Sequence, residues 1–168
     1  MVFPKLLAMV LAAFLCALPL RAMAQAPLPP PPQMPYGMPI STEDAKRVAA
    51  GAIAEARRNS WNMAVALVDT GGYLVYFERM PNTQLGSVDL AIEKARTAAL
   101  FRRATKVFED AVAGGGDGLR VLRLTGTIPN EGGVPIIVEG KLVGAIGISG
   151  GSVEQDGQAA KAGASSLK

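Results

Sequence analysis

Two stretches of the chain each read as a pair of strands joined by a tight turn, which limits the fold more than any other feature. Met63 to Val68 is a continuous apolar run, the pattern of a strand covered on both faces. Asp69-Thr70-Gly71-Gly72 then supplies turn chemistry, glycine taking positive φ without steric cost, and Tyr73 to Arg79 returns as the second strand. Val134 to Glu139 and Leu142 to Ser149 repeat the arrangement around Glu139-Gly140-Lys141, with Pro135 suited to a strand start or an edge. Hairpins, rather than single strands with crossover helices, predict an antiparallel sheet with helices packed on it. That is an α+β domain, not a Rossmann unit.

The segments between the hairpins have helical spacing. Ser41 with Asp44 resembles a capping box, and Ala45, Val48, Ala49, Ala52, Ile53 and Ala56 form one stripe of a helix over about 41–59. Ser87 is placed to cap a second helix reaching about Arg103, whose stripe is Val88, Ala91, Ile92, Ala95, Ala98 and Ala99. A shorter helix covers Lys106 to Ala113, the glycines from Gly114 to Gly118 read as a flexible break, and Ser152 to Ala164 is weakly helical. Stripes built from alanine let a helix approach a sheet closely.

The domain starts at Ile40. Before it, residues 25–39 hold seven prolines, a composition that favours polyproline II and reads as an extended tether. Residues 1–24 have the pattern of an export signal: Lys5, an apolar run from Leu6 to Leu20, and Ala22-Met23-Ala24 for cleavage. That run is short for a membrane span, so the processed chain is expected in the periplasm or outside the cell, without a membrane anchor. Cleavage would remove Cys16, the only cysteine, and two basic residues, leaving a net charge near +1. No disulfide is then available, and stability must come from the core or from oligomerisation.

The chain has no histidine at all. No Ser-His-Asp or Cys-His nucleophile can be assembled, and no imidazole can hold zinc or iron. No basic cluster interleaved with aromatics marks a nucleic-acid surface. Asp69, Glu78, Asp89 and Glu93 form no known cation-loop signature, so no metal site can be named.

Three features carry what chemistry remains. Glycines within Gly144 to Gly151 superficially match a dinucleotide fingerprint, but Gly144 and Gly147 fall inside a strand, which predicts a bulge or close backbone packing. Ser149-Gly150-Gly151-Ser152 joins a strand to a helix, where exposed amides attract an anion; Glu154 and Asp156 can satisfy the same amides. Arg96, Arg102, Arg103 and Lys106 crowd the second helix and its exit, either as partners for ligand carboxylates or as a solvated face with surface ion pairs.

Four ordered blocks then make the chain recognisable. They are Val68-Asp69-Thr70-Gly71-Gly72-Tyr73-Leu74-Val75, Leu85 to Ala98 with its Glu93-Lys94-Ala95-Arg96-Thr97 run, Gly132-Gly133-Val134-Pro135-Ile136, and Val143 to Gly151 followed by Glu154-Gln155-Asp156. Together they resemble the GlcG/HbpS-like haem-binding family, which includes the C-terminal domain of PduO-type proteins, over about residues 41–167. The resemblance implies a profilin-like sandwich, homo-oligomerisation, and haem or a related tetrapyrrole as ligand. Arg96 would then pair with the ligand's carboxylates, and Thr97 would either line a pocket or bond back to a helix carbonyl. Without histidine, axial ligation would fall to tyrosine or methionine, with Tyr73, Tyr76, Met63 and Met80 available. Two other functions fit the same residues. One is binding or turnover of a small organic acid, such as a 2-hydroxy acid, at Ser149 to Ser152 with Arg79 or Arg96. The other is a structural oligomer without a ligand.

Overall fold

The computed structural model describes residues 34–167. The expected export signal, Cys16 and the first part of the Pro-rich segment lie outside the described residues. Both predicted hairpins form. β1 (Ala64–Val68) pairs antiparallel with β2 (Leu74–Arg79), and β3 (Gly133–Val138) pairs antiparallel with β4 (Lys141–Ser149). The two hairpins join through β1 and β4, giving one antiparallel sheet of order β2-β1-β4-β3. The central strands are the two most deeply buried ones. Pro135 lies on the edge strand β3, where its missing N–H costs no ladder bond.

Alternation along the strands sorts two layers. Val65, Leu67, Ile146 and Ile148 point to a core shared with α1 (Thr42–Arg58) and α4 (Val153–Ala164). Ala64, Ala66, Val68 and Ala145 point the other way, to α2 (Ser87–Phe101). Sheet and helices therefore form an α/β/α sandwich, the arrangement that the resemblance implies. Each large side chain buried on the first face contributes about 1.5–3 kcal/mol. The second face is almost all alanine, so α2 sits very close to the sheet. A Cβ on Gly147 would collide with the carbonyl oxygen of Ala91, which is why β4 carries glycine there.

α1 buries the six residues of the predicted stripe, and Ser41 Oγ accepts from the Asp44 amide at 3.1 Å. α4 opens on a reciprocal box between Ser152 and Gln155. α3 spans Lys106–Ala113 as expected.

Three expectations change. Ser87 does not cap α2: the cap position is Gly86, and the Ser87 hydroxyl is buried against Ser149 Oγ at 3.2 Å. The glycines after α3 are not a free break. Gly115 and Gly116 turn the chain with positive φ into a 3-10 helix, Gly116–Arg123, that packs back on α3. Finally, the Pro-rich tether does not run to residue 39. β1 ends opposite Ala145, which leaves the edge of β4 bare at Leu142 and Val143, and residues 35–40 pair there.

Candidate functional site

α2 lies over β4, β1 and β3 but stops short of β2. The face of β2 on that side is consequently open. Register puts Leu74 opposite Val68, Phe77 opposite Ala66 and Arg79 opposite Ala64, so these three side chains share the α2 face. Ile92, Arg96 and Leu100 recur at helical spacing and so share one stripe of α2, with Ile92 packed on the alanine layer. Leu100 approaches the hairpin turn at Gly72, and Leu74 is 50% exposed. We treat this open strip between α2 and β2, with its apolar side chains and two guanidinium groups, as a candidate groove. Arg96 reaches Glu93 only at 4.0 Å, and Arg79 has no carboxylate partner among the described residues.

The predicted site residues divide between this groove and other places. Arg96 lines the groove. Tyr73 is 75% exposed at the hairpin turn, with its main chain fixed by the Asp69 carboxylate, which accepts from the amides of Gly71 and Tyr73. Tyr76 is on the opposite face of the sheet, where its hydroxyl donates to Glu78 at 2.8 Å; that bond raises the phenol pKa. Met80 and Met63 are buried in the core beneath α1.

Thr97 is fully buried and does not bond back along its helix. Its hydroxyl donates to the Gly126 carbonyl at 3.3 Å and accepts from the Ile128 amide at 3.0 Å. It thereby pins the loop that leads into β3.

The Ser149–Ser152 turn holds an anion of its own. The carboxylate of Asp156 accepts from the Gly151 amide at 3.0 Å, and the Gly150 amide also bonds to it. The Ser152 amide donates to Gln155 at 2.9 Å, and Glu154 accepts from the Ser152 hydroxyl. Asp156 thus takes the role that the sequence left open between an outside ligand and the protein's own carboxylates.

Sequence reasoning missed the partner of Asp156. Lys94, completely buried, donates from Nζ to Asp156 Oδ2 at 2.7 Å. Burial raises the Asp156 pKa, while Lys94 and the two glycine amides pull it down. Gly132 passes directly beside this pair: a Cβ there would lie 3.0 Å from Lys94 Nζ, and its φ of 128° already excludes most side chains. The signal for Lys94 was present, since it lies three residues after Ala91 and one before Ala95 on the alanine stripe.

An α/β/α sandwich of two joined hairpins, with a buried lysine–aspartate pair under a Gly-Gly turn and an open groove along β2, defines a class. The chain belongs to the HbpS-like family, whose model, described as "Haem degrading protein HbpS-like", matches residues 40–165. Protein GlcG of Escherichia coli (strain K12) is 39% identical over 110 residues, covering 66% of this chain and 81% of GlcG. The crystal structure of a PduOC:heme complex superposes with a TM-score of 0.70 at 32% identity, covering 78% of this chain and 96% of that one. The crystal structure of HbpS gives 0.72 at 27% identity, covering 81% and 95%.

Proposed function

We propose that this is an exported, oligomeric protein that binds haem or a related tetrapyrrole in the groove between α2 and β2. One observation carries the assignment: the groove joins exposed apolar side chains to two guanidinium groups that lack a close carboxylate. A flat apolar macrocycle with two carboxylates needs that combination, apolar contact for the ring and charge-assisted hydrogen bonds for the acid groups. The PduOC:heme structure, similar in fold and sequence, supports the choice of ligand.

The donor set fits the porphyrin better than its iron. Leu74, Phe77, Ile92 and Leu100 would hold the ring, and Arg79 and Arg96 its carboxylates. No histidine exists, Met63 and Met80 are in the core, and Tyr76 is committed to Glu78. Among the described residues, Tyr73, exposed at the turn that Leu100 approaches, is the tyrosine or methionine best placed as a ligand. Haem when bound would supply the redox chemistry; the chain's residues orient it and exclude water from one face.

Export rests on residues 1–24, and the destination is the periplasm or the medium. Oligomerisation is supported by the exposed Leu119, Leu122 and Leu124, a second apolar patch away from the groove. Light scattering on the purified protein measures the assembly.

Titration with hemin tests the ligand. A saturable Soret shift with quenching of Trp61 is expected, and Arg96→Ala weakens it; no shift and no quenching would sink the proposal. A small organic acid is the second reading, because Arg79 and Arg96 suit any carboxylate. A thermal-shift screen of 2-hydroxy acids that stabilises the wild type but not Arg96→Ala, without any hemin response, would favour it. Failure of both screens leaves the structural oligomer.

A further inference from the structure

We propose that the bare edge of β4 at Leu142–Val143 is a docking site for an extended peptide, occupied by the chain's own residues 34–40 and locked by Arg102. Three main-chain bonds make the site. The Leu142 amide donates to the Pro35 carbonyl at 3.0 Å, the Gly37 amide donates to the Leu142 carbonyl at 2.7 Å, and the Ile40 amide donates to the Val143 carbonyl at 2.7 Å. Tyr36 lies parallel to Leu142 in this pairing. The fit is close: a Cβ on Gly37 would come 3.0 Å from Lys141 Cβ and 3.2 Å from Val143 Cγ1. Peptides that complete an open sheet edge are recognised in this way, main-chain bonds giving affinity and side-chain fit giving selectivity.

Arg102 is the lock. It ends α2 in the left-handed conformation, φ 52° and ψ 38°, where glycine or asparagine is the favoured residue. Helix termination does not explain an arginine there. Its contacts do: Nη1 donates to the Met34 carbonyl at 2.8 Å, and the guanidinium stands 5.3 Å from the centre of the Tyr36 ring. Tyr36 is 49% exposed, so the core does not hold it in place.

Hydrogen exchange on the full chain tests both parts. The amides of Gly37, Ile40 and Leu142 should be protected in the wild type. Arg102→Gly, which relieves the left-handed cap, should speed their exchange by about tenfold or more while Leu67 and Ile146 stay unchanged. Arg102→Lys, which keeps the charge but loses the planar stack, should fall between. Unchanged exchange in Arg102→Gly would overturn the lock, as would an equal rise throughout the sheet. A synthetic peptide of residues 33–41 added to Arg102→Gly should restore protection at Leu142. If it does not, the edge is no docking site. A concentration-dependent dimer of the variant, with Leu142 still protected, would show the segment of a second copy seated on the same edge and would overturn the lock by Arg102.

Discussion

Lys94 of α2 and Asp156 of α4 meet at 2.7 Å with neither side chain more than 4% exposed. The pair ties together two helices that lie on opposite faces of the sheet. Asp156 also fastens the turn between β4 and α4 through the amides of Gly150 and Gly151. Removing one partner strands the other charge in the interior, so Lys94→Met or Asp156→Asn should each cost about 3–5 kcal/mol in urea unfolding. Lys94→Met/Asp156→Leu should lose less than the sum of the two, because no charge is left behind. Additive losses would show that the two residues do not act as a pair.

The same pair gives a pH dependence. Burial already raises the Asp156 carboxyl, and Lys94 opposes that rise. In Lys94→Met the opposition is gone, and the folded-state pKa climbs further above the value of about 3.9 for an unfolded chain. As pH falls, the folded variant takes up this proton before the unfolded chain does. Its stability is highest below the unfolded pKa and is lost as pH rises through the folded one. The deficit relative to wild type should therefore shrink between pH 7 and pH 5. A deficit that is constant over this range would exclude the uncompensated carboxylate as its cause.

Gly147 tests the close approach of α2. Its missing Cβ makes room for the Ala91 carbonyl and the Ala95 amide, both of which are main-chain groups that cannot rotate away. Gly147→Ala must push α2 off the sheet, and should cost more than the roughly 1–3 kcal/mol typical of overpacking. Gly140→Ala is the control, because nothing lies within 4 Å there and only its positive φ is strained. Gly140→Ala should be milder in thermal unfolding.

Thr97 ties α2 to the Gly126–Ile128 loop with one bond given and one received. Thr97→Val keeps the shape and leaves the Ile128 amide unpartnered, at about 1–3 kcal/mol. Faster hydrogen exchange should be confined to the loop. If Thr97 instead belongs to the ligand site, hemin affinity falls in Thr97→Val with no change in the loop.

The fold was legible because its determinants are local. The runs from Met63 and Leu142, the turn at Asp69–Gly72, and the stripe of α1 each state their period within a few residues. An antiparallel sheet with helices packed on it follows once both hairpins are placed. Contacts between distant segments were not legible. Lys94 and Asp156 are 62 residues apart, and nothing in either neighbourhood names the other. The docking of residues 35–40 was hidden for another reason, since proline-rich composition argues for a tether while single edge bonds leave no periodic trace. Tyr76 and Tyr73 show the same limit at the site. Both are tyrosines of one hairpin, but only Tyr76 lies in the regular register of β2, while the irregularity between Leu67 and Val68 sets the pairing of Leu74 beside Tyr73.

Leu100 stands where the groove meets the hairpin turn, partly exposed, with its side chain toward Gly72. A carboxylate there places negative charge in the apolar wall and between the two guanidinium groups and an acidic ligand. Leu100→Asp should weaken hemin binding by about tenfold or more, since each buried apolar contact and each disturbed ion pair is worth 1 kcal/mol or above. Global stability should move by less than 1 kcal/mol, the usual range for a surface position. Leu122→Asp makes the same charge change on the exposed patch after α3, and should leave hemin binding unaltered while reducing the assembly seen by light scattering. Equal losses of hemin binding in the two variants would mean that charge alone is responsible, and the groove would then not be the site. A loss in Leu122→Asp only would move the site to the second patch, where Arg120 and Arg123 would take over the pairing with the carboxylates.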